Sequence, residues 1–317
     1  MTRNGAEPAV QVAGLRKAFG NQVVLDGIDL AVAAGTVFAL LGPNGAGKTT
    51  TVHILSTLLA PDGGEARVGG HDVVREPNAV RSAIGLTGQF SAVDGMLTGE
   101  ENLRLIADLR HLGGVEGRRR VSQLLERFDL VGEAKKPVAT YSGGLRRRLD
   151  LAMTLVGDPR IIFLDEPTAG LDPRSRRVMW DIVRGLVGDG VTILLTTQYL
   201  EEADRLADQI ALLDHGRIVA AGSPEQLKRL VPGGHIRLGF TDPAELDRAE
   251  HALDGATRDD DALTLEVAIE VSARSLRDLL TRLDAQAIDV GGLEVLMPDL
   301  DDVFLALTGP NQKELPR

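Results

Sequence analysis

GPNGAGKT, at residues 42–49, says most about how this chain is built. It has the form G-x-x-x-x-G-K-[ST], in which glycines let backbone N–H groups surround phosphate oxygens and the lysine adds a fixed positive charge. The apolar run Val37–Leu41 comes before it, and a stretch with helical character, Lys48 to Leu59, follows. A strand before and a helix after are what this motif requires. The context therefore predicts a phosphate-binding loop rather than a glycine-rich turn of another α/β enzyme.

A second motif lies further along, where the apolar segment Ile161-Ile162-Phe163-Leu164 runs into Asp165 and Glu166. Ligands of parallel sheets bind at the carboxyl ends of strands, so both carboxylates are expected at the phosphate site. Asp165, with the Thr49 hydroxyl, is the predicted Mg²⁺ ligand. Glu166 is the predicted general base for an attacking water, a role that typically contributes ~10²–10⁴-fold. The alternative, two solvated acids at a strand end, leaves the following Pro167 unexplained.

Composition narrows the function classes. The 317 residues suffice for one large domain and a small one, and the net charge of −11 opposes nonspecific binding to nucleic acid or anionic lipid. The absence of cysteine excludes disulfides, thiolate metal sites and a thiol nucleophile. No apolar run approaches the ~20 residues of a membrane span, and the first residues lack a signal peptide's apolar core. We therefore expect a soluble chain at the cytoplasmic face of the membrane, with any pore in another polypeptide.

The order of predicted elements indicates two domains. Strands alternate with helical segments up to a predicted hairpin at 210–219, which is typical of parallel strands joined by helical crossovers. Thr98 and Glu101 fit a helix capping box within a mostly helical region, about 90–158. We predict a nucleotide-binding domain over 1–222, a linker over 223–234, a small α+β accessory domain over 235–307 and a polar tail over 308–317. The chain carries one set of nucleotide motifs.

The turn Tyr141-Ser142-Gly143-Gly144, upstream of the acidic strand, resembles the signature of ATP-binding cassette (ABC) ATPases. The resemblance runs from about Val10 to Gly222. It implies an α/β P-loop NTPase fold with a helical signature subdomain. A wider set of segments resembles the daunorubicin-resistance type of ATP-binding subunit, and that resemblance extends through the accessory domain. The segments are Gly88-Gln89-Phe90, 97–103, 141–144, 197–204 and 301–309.

The resemblance also implies roles for individual residues. Phe19 would stack on the base, although packing in the core is the alternative for this side chain. Gln89 would contact both ATP and Mg²⁺, and the run ending at Asp172 resembles the family's D-loop. Ser142 and its glycines would serve a nucleotide held by a second subunit, so the working unit would be a head-to-tail dimer. The predicted ATP-binding residues are Phe19, Gly42, Pro43, Asn44, Gly45, Ala46, Gly47, Lys48, Thr49, Thr50, Gln89, Ser142, Gly143, Gly144 and Asp172.

One position departs from the family's usual pattern. Most members carry a histidine after the strand that here ends at Thr197, and this chain has Gln198. Like histidine, an amide can donate a hydrogen bond. Unlike histidine, it cannot take up a proton or carry a positive charge. Lys48, Glu166 and Gln198 are the predicted catalytic residues, and the departure leaves two outcomes: slow hydrolysis, or a site that depends mainly on Glu166. The arginines 146–148 are interpreted mostly as a solvated helix face.

These features predict the ATP-hydrolysing subunit of a membrane exporter for a drug, an antibiotic or a related hydrophobic compound. The chain would form a dimer around two Mg-ATP and drive a separate permease, which it would contact near Phe90–Leu103. Three alternatives remain. They are a soluble cassette protein of translation or DNA repair, an importer ATPase and a nonhydrolytic regulatory module. The paired cassettes or long coiled-coil insertion of the first are absent from the sequence.

Overall fold

The computed structural model describes residues 7–89, 91–231, 234–253, 255–269, 273–296 and 298–308. The chain divides into two compact units, Met1–Pro224 and Glu225–Arg317. Within the described ranges, no helix is both long enough and apolar enough to cross a membrane.

The strands of the first unit are β1 (Val10–Phe19), β2 (Gln22–Val32), β3 (Val37–Leu41), β4 (Gly63–Val68), β5 (His71–Asp72), β6 (Ile84–Thr87), β7 (Ile161–Asp165), β8 (Thr192–Thr197), β9 (Gln209–Asp214) and β10 (Arg217–Gly222). Its helices are α1 (Lys48–Leu55), α2 (Pro77–Ala83), α3 (Gly99–Leu109), α4 (Gly114–Arg127), α5 (Gly143–Thr154), α6 (Pro173–Gly188) and α7 (Leu200–Leu206). Two short 3₁₀ turns lie at Val138–Thr140 and Leu155–Gly157, and α8 (Pro224–Lys228) begins at the boundary between the units.

A six-stranded sheet in the order β10-β9-β3-β8-β7-β6 carries the first unit. All its neighbouring strands are parallel except the hairpin β9–β10, which confirms the predicted parallel sheet and closing hairpin. Every residue of β3, β7 and β8 is buried. Strands covered on both faces need unbroken apolar runs, which explains why their sequences do not alternate.

The register of this sheet brings four strand ends to one edge. Leu41 pairs with Thr197, Asp165 with Thr196 and Thr87 with Leu164, so β3, β6, β7 and β8 end almost level. The segments that follow these strands begin with Gly42, Gly88, Glu166 and Gln198. Distant parts of the sequence therefore emerge side by side at the carboxyl edge.

A second, antiparallel sheet in the order β2-β1-β4-β5 shares a core with the first. The core cluster includes Val10 and Leu25 from this sheet, Ile54 from α1, and Phe163 and Leu194 from the parallel sheet. Helix α1 is therefore fixed between two layers by the burial of its apolar face, the dominant favourable contribution to folding.

The helical region contains α3, α4 and α5. The predicted capping box is confirmed: the Thr98 side chain accepts from the Glu101 N–H, and the Glu101 carboxylate accepts from the Thr98 N–H at 2.8 Å. The predicted helix from Lys48 ends at Leu55 rather than Leu59. Thr57 adopts a left-handed conformation with φ 65°, and such a residue does not continue a right-handed helix.

The second unit is a small α+β fold. Its strands are β11 (Gly234–Gly239), β12 (Thr257–Asp259), β13 (Thr264–Ile269) and β14 (Gly292–Leu296), and its helices after α8 are α9 (Pro243–Ala252), α10 (Ala273–Ala285) and α11 (Leu300–Thr308). The sheet is antiparallel in the order β12-β13-β11-β14 and has its own core with α9 and α10. The accessory α+β fold is thus confirmed, although the short β12 was not predicted. The exact domain and linker limits stay predictions.

Candidate functional site

The loop between β3 and α1 is held closely by the surrounding backbone. The Gly42 N–H donates to the Thr197 carbonyl at 3.2 Å, and the Gly216 N–H donates to the Ala46 carbonyl at 3.2 Å. A Cβ on Gly42 would lie 2.2 Å from the Leu213 carbonyl oxygen. Gly47 has φ +111°, and a Cβ there would lie 2.6 Å from a methyl carbon of Leu25. Only glycine fits either position, so the sequence motif reflects backbone geometry.

The Lys48 side chain folds back over this loop. Its ammonium donates to the carbonyls of Gly42 at 2.8 Å and Pro43 at 3.0 Å, and it lies 3.4 Å from Glu166 Oε1. Lys48 is buried at the first position of α1, so its charge adds to the positive potential of a helix N-terminus. The loop, the helix start and the lysine therefore form one anion-attracting cradle, which also contains the neighbouring Thr49 and Thr50.

Asp165 is buried at the end of β7 and faces two hydroxyl groups. Its Oδ1 accepts from Thr196 Oγ1 at 2.5 Å and from Thr49 Oγ1 at 3.2 Å. Mg²⁺ prefers hard oxygen ligands and usually takes one or two from protein, with substrate phosphates and waters completing its octahedron. The Thr49 hydroxyl and the Asp165 carboxylate fit that requirement. Among the described residues, no group of three or more His, Cys, Asp or Glu forms an all-protein metal cage.

Glu166 occupies a strained backbone position directly after Asp165. Its φ is 47°, in the left-handed region that non-glycine residues rarely adopt, at a cost of roughly 1–3 kcal/mol. Its N–H donates to the Thr196 carbonyl at 3.2 Å and to Thr196 Oγ1 at 3.1 Å. Its carbonyl accepts from the Ala169 N–H at 3.2 Å. These bonds turn the carboxylate toward Lys48 and the phosphate loop.

Gln89 and Gln198 lie in the segments that leave β6 and β8 at this same edge. Gln89 is exposed, and Gln198 is half-buried one residue after Thr197. Phe90, the first residue of the predicted permease contact, lies outside the described residues. The structure thus brings the loop, Asp165, Glu166, Gln89 and Gln198 to one sheet edge.

Ser142–Gly144 occupies a different surface, at the start of α5. Ser142 caps this helix by accepting from the Leu145 N–H at 3.3 Å, and both it and Gly143 are exposed. Gly144 packs against Ser175, whose hydroxyl a Cβ would approach to 2.4 Å. Across the described part of the chain, no hydrogen bond joins this turn to the phosphate loop. One subunit therefore presents the two motifs separately.

Asp172 holds the start of α6 beside that turn. Its Oδ1 accepts from the Arg174 and Ser175 N–H groups at 3.0 Å, and its Oδ2 accepts from Ser175 Oγ at 2.6 Å. The hydrogen bond from the Ser175 side chain lowers the pKa of this carboxyl. The contacts give Asp172 a capping function. Its predicted ATP contact stays a prediction.

Phe19 ends β1 at the tip of the β1–β2 hairpin, where it pairs with Gln22. Its side chain is 52% exposed, so the alternative of core packing is wrong. The Lys17 ammonium lies 5.5 Å from the ring centroid. The next residues of the hairpin's second strand, Val24 and Leu25, lie against Gly47. An exposed aromatic ring is therefore available near the loop for stacking on a base.

Two buried charged residues beside the site, Arg147 and Glu202, were not predicted from the sequence. The interpretation of arginines 146–148 as a solvated face is wrong for Arg147, which is 8% exposed and bonds to backbone carbonyls that flank Glu166. Glu202 is fully buried and accepts from Thr168 Oγ1 at 2.8 Å and Trp180 Nε1 at 3.1 Å. Burial raises the pKa of this carboxyl. For Glu202 the available signal was an acid at helical spacing among apolar residues of α7.

A phosphate loop, an acidic strand end and a separate serine-capped helix on a parallel sheet define a nucleotide-hydrolysing cassette. Comparison with known proteins agrees: the family model described as ABC transporter matches residues 25–169. The chain belongs to the ATP-binding proteins of the ABC transporter family, and its activity is transport-coupled ATP hydrolysis.

The relatives extend over nearly the whole chain. Daunorubicin resistance ATP-binding protein DrrA3 of Streptomyces coeruleorubidus is 49% identical over 310 residues, covering 97% of this chain and 98% of that protein. Daunorubicin/doxorubicin resistance ATP-binding protein DrrA of Streptomyces peucetius is 47% identical, covering 95% and 92%. Among solved structures, the dimeric, post-hydrolysis ATP-binding cassette MJ0796 with ADP and phosphate aligns with TM-score 0.62 at 25% identity, covering 68% of this chain and 98% of that one.

Proposed function

We propose that this chain is the ATP-hydrolysing subunit of a drug exporter, acting at the cytoplasmic face of the membrane with a separate permease. The similarity to daunorubicin-resistance ATP-binding proteins over nearly the full chain supports the export of a drug-like hydrophobic compound. The match to the ABC transporter model supports coupling to transport. The substrate is then chosen by the permease, since the chain itself supplies the ATPase.

Nucleotide binding in this proposal uses the cradle at the carboxyl edge. The backbone N–H groups of the loop and the Lys48 ammonium bind the β- and γ-phosphates, and Phe19 stacks on the base. Thr49 and Asp165 hold Mg²⁺, with Gln89 approaching from the neighbouring strand end. Bound Mg²⁺ neutralises charge on the phosphate oxygens.

Hydrolysis is assigned to Glu166 and Gln198. The Glu166 carboxylate accepts a proton from the attacking water, and its strained backbone fixes the direction of the side chain. The Gln198 amide orients the water or a γ-phosphate oxygen by a neutral hydrogen bond, which is about half as strong as a charge-assisted one. Lys48 stabilises the negative charge of the phosphates. The observation that carries this assignment is the convergence of Lys48, Thr49, Asp165 and Glu166 within hydrogen-bond or ion-pair distance.

Dimerisation completes the site. Each chain has one phosphate loop, and its exposed Ser142 turn makes no hydrogen bond to that loop within the described residues. A second copy placed head to tail brings its Ser142 hydroxyl and the N–H groups of its α5 start to the γ-phosphate. The dimeric arrangement of the similar cassette supports this reading. Two Mg-ATP are then enclosed between two chains.

The permease contact is proposed around the segment that follows Gln89, extending to Leu103. Met96 is 88% exposed there, and Leu105 and Leu109 on α3 are also exposed apolar side chains. Asn102 is buried and fixes the segment by accepting from the Asp94 N–H at 2.9 Å and donating to the Asp94 carbonyl at 3.0 Å. Exposed apolar residues on a rigid support are typical of an interaction site.

The test is drug efflux from cells that produce the chain together with the membrane protein encoded beside it. We expect daunorubicin efflux with the natural chain and none with Lys48→Ala, because the variant lacks the charge that binds the phosphates. Purified natural protein should hydrolyse Mg-ATP, and Lys48→Ala should not. If hydrolysis is present while efflux equals that of the variant, the drug-export assignment is wrong. If hydrolysis itself is absent, the catalytic assignment is wrong.

A further inference from the structure

Arg147 is a buried arginine whose guanidinium reaches two nucleotide motifs at once. It projects from α5, and its side chain makes four hydrogen bonds. Nε donates to the Pro167 carbonyl at 2.9 Å and Nη2 donates to the Asp165 carbonyl at 3.1 Å. Nη1 donates to the Gly88 carbonyl at 2.7 Å and to Asp150 Oδ2 at 3.2 Å. The planar fork of an arginine is required for such a set.

Asp150, one helical turn further along α5, extends the connection. It is buried, and its Oδ1 accepts from the Ala92 N–H at 3.3 Å. The Ser91 side chain also hydrogen-bonds to it. The Arg147–Asp150 pair therefore holds the chain on both sides of Gln89, at Gly88 and at 91–92.

Arg147 also binds the chain on both sides of Glu166. Arg147 binds the carbonyls of Asp165 and Pro167, the residues immediately before and after it. Glu166 itself has the left-handed φ of 47°. A strained conformation persists only where the surrounding structure fixes it from several sides. Arg147 supplies two of those constraints, and the Thr196 bonds supply others.

Stability alone does not account for an ion pair at this place. Burial lowers the pKa of the Arg147 guanidinium, with Asp150 opposing that shift, and burial raises the pKa of the Asp150 carboxyl. Both groups thus carry a desolvation penalty. Replacing a buried ion pair by well-packed apolar residues is often neutral or stabilising. The hydrogen bonds to the two motifs are what an apolar pair would lose.

We propose that Arg147 and Asp150 are positioning residues for ATP hydrolysis: they fix the backbone around Glu166 and Gln89 relative to the helix that presents Ser142. A movement of α5 toward a second subunit's nucleotide then also moves the segments that carry the general base and Gln89. The proposal rests on the proposed function, since it takes its meaning from the roles given there to Glu166, Gln89 and Ser142. It adds a connection, through the side chains of Arg147 and Asp150, between α5 and the segments that carry Gln89 and Glu166.

The experiment compares four variants of the full-length chain: Arg147→Lys, the double variant Arg147→Met with Asp150→Leu, Glu166→Gln and the control Arg120→Gln. Steady-state turnover of Mg-ATP gives kcat, and titration with a fluorescent ATP analogue gives nucleotide affinity. Thermal unfolding reports stability. Arg120 is the matched control because it also donates to a backbone carbonyl, that of Leu155 at 2.6 Å, and to a carboxylate, Asp158 at 2.9 Å, away from both motifs.

We expect Arg147→Lys to lower kcat by roughly 10- to 100-fold, the scale of misplacing a catalytic group by about 1 Å. Affinity for the analogue should change by less than about threefold, because the phosphate loop is untouched. The double variant should unfold at a lower temperature than the natural chain, because the carbonyls of Gly88, Asp165 and Pro167 lose their buried donor, and it should still be as slow as Arg147→Lys. Arg120→Gln should lower the unfolding temperature without lowering kcat.

A double variant with natural turnover would overturn the proposal, because the pair would then only support the fold. Natural turnover in Arg147→Lys would overturn it as well. Glu166→Gln separates the two levels of inference. If Glu166→Gln is slow while Arg147→Lys is not, only the positioning role is wrong. If Glu166→Gln keeps natural turnover, the catalytic assignment beneath it is wrong.

Discussion

Glu166 shows how single residues adapt to this site. A turn residue with φ 47° would normally be Gly or Asn, yet the chain places a glutamate there. Contacts offset the cost of this strained conformation: the Glu166 N–H donates to the Thr196 carbonyl and hydroxyl, and the Lys48 ammonium lies 3.4 Å from the Glu166 carboxylate. In the proposed mechanism, these contacts give the general base a fixed direction.

Gln198 is expected to support hydrolysis without dominating it. A neutral amide binds the water or the γ-phosphate weakly, so Gln198→Ala should reduce turnover far less than Glu166→Gln, whose role is worth ~10²–10⁴-fold. Gln198→His should introduce a pH dependence around ~6.5, which the natural residue lacks because it does not ionise. ATPase rates of the three variants between about pH 6 and 8.5, measured with the permease, test this. Complete loss of turnover in Gln198→Ala would contradict the subsidiary role.

Glu202 should make stability depend on pH. Burial raises the pKa of this carboxyl above its ordinary value of 4.5 in the folded state. Its contribution to stability is therefore full below that value and is lost as pH rises through the folded-state pKa. Glu202→Gln keeps an oxygen acceptor for Thr168 and Trp180 and cannot ionise. We expect Glu202→Gln to unfold at a higher temperature than the natural chain. The difference between the two unfolding temperatures should grow from about pH 5 to pH 8.

The matched control for this experiment is Glu201→Gln, since Glu201 is the preceding residue and its side chain is exposed in an ion pair with Arg205. Its difference from the natural chain should stay nearly constant over the same range. A constant difference for Glu202→Gln as well would mean that burial does not disfavour the Glu202 charge.

At the scale of elements, strand ends made the site predictable. Apolar runs without alternation indicated buried parallel strands, and parallel strands deliver their following residues to one edge. This reasoning placed the loop, Asp165 and Glu166 correctly relative to the sheet, whereas Gln198 was identified through the family resemblance. The capping box of α3 was predictable for a similar reason, because Thr98 and Glu101 act through local backbone bonds.

The partners of Arg147 were not predictable in this way. Three adjacent arginines at the start of a helix look alike in sequence, and only the packing of α5 against β6 buries the middle one. Its acceptors are main-chain carbonyls of Gly88, Asp165 and Pro167, and carbonyls carry no residue-specific signal. Long-range side chain to backbone bonds therefore lie beyond single-sequence reasoning. The early end of α1 was not predictable from the sequence either, because it depends on the left-handed φ of Thr57.

The segment before α3 gives an element-scale prediction. Met96→Glu places a charge on the exposed apolar side chain of the proposed permease contact, and desolvating that charge should weaken docking. We expect permease-stimulated turnover to fall by roughly tenfold or more, on the scale of a lost interface anchor, while turnover of the isolated chain is unchanged. Val74→Glu, at an exposed apolar residue in the turn after β5, is the control and should leave stimulation intact. Equal effects from both substitutions would argue against the contact.

At the scale of the whole molecule, the chain has one of each motif. Its second unit, over the described residues, is a sheet of four antiparallel strands with its own apolar core. The predicted nucleotide-binding residues all belong to the first unit. In the proposed function, one phosphate loop and one Ser142 turn on separate surfaces form a complete site only when two chains combine.

The mass of Glu166→Gln in Mg-ATP, measured by size-exclusion chromatography with light scattering, tests that central claim most directly. The substitution keeps the shape of the side chain and removes the general base, so ATP bound between two chains should persist. We expect a dimer with Mg-ATP, a monomer without nucleotide, and no ATP-dependent dimer when Ser142→Trp is added to block the turn. A Glu166→Gln chain that binds Mg-ATP yet stays monomeric at high micromolar concentration would contradict the two-chain site.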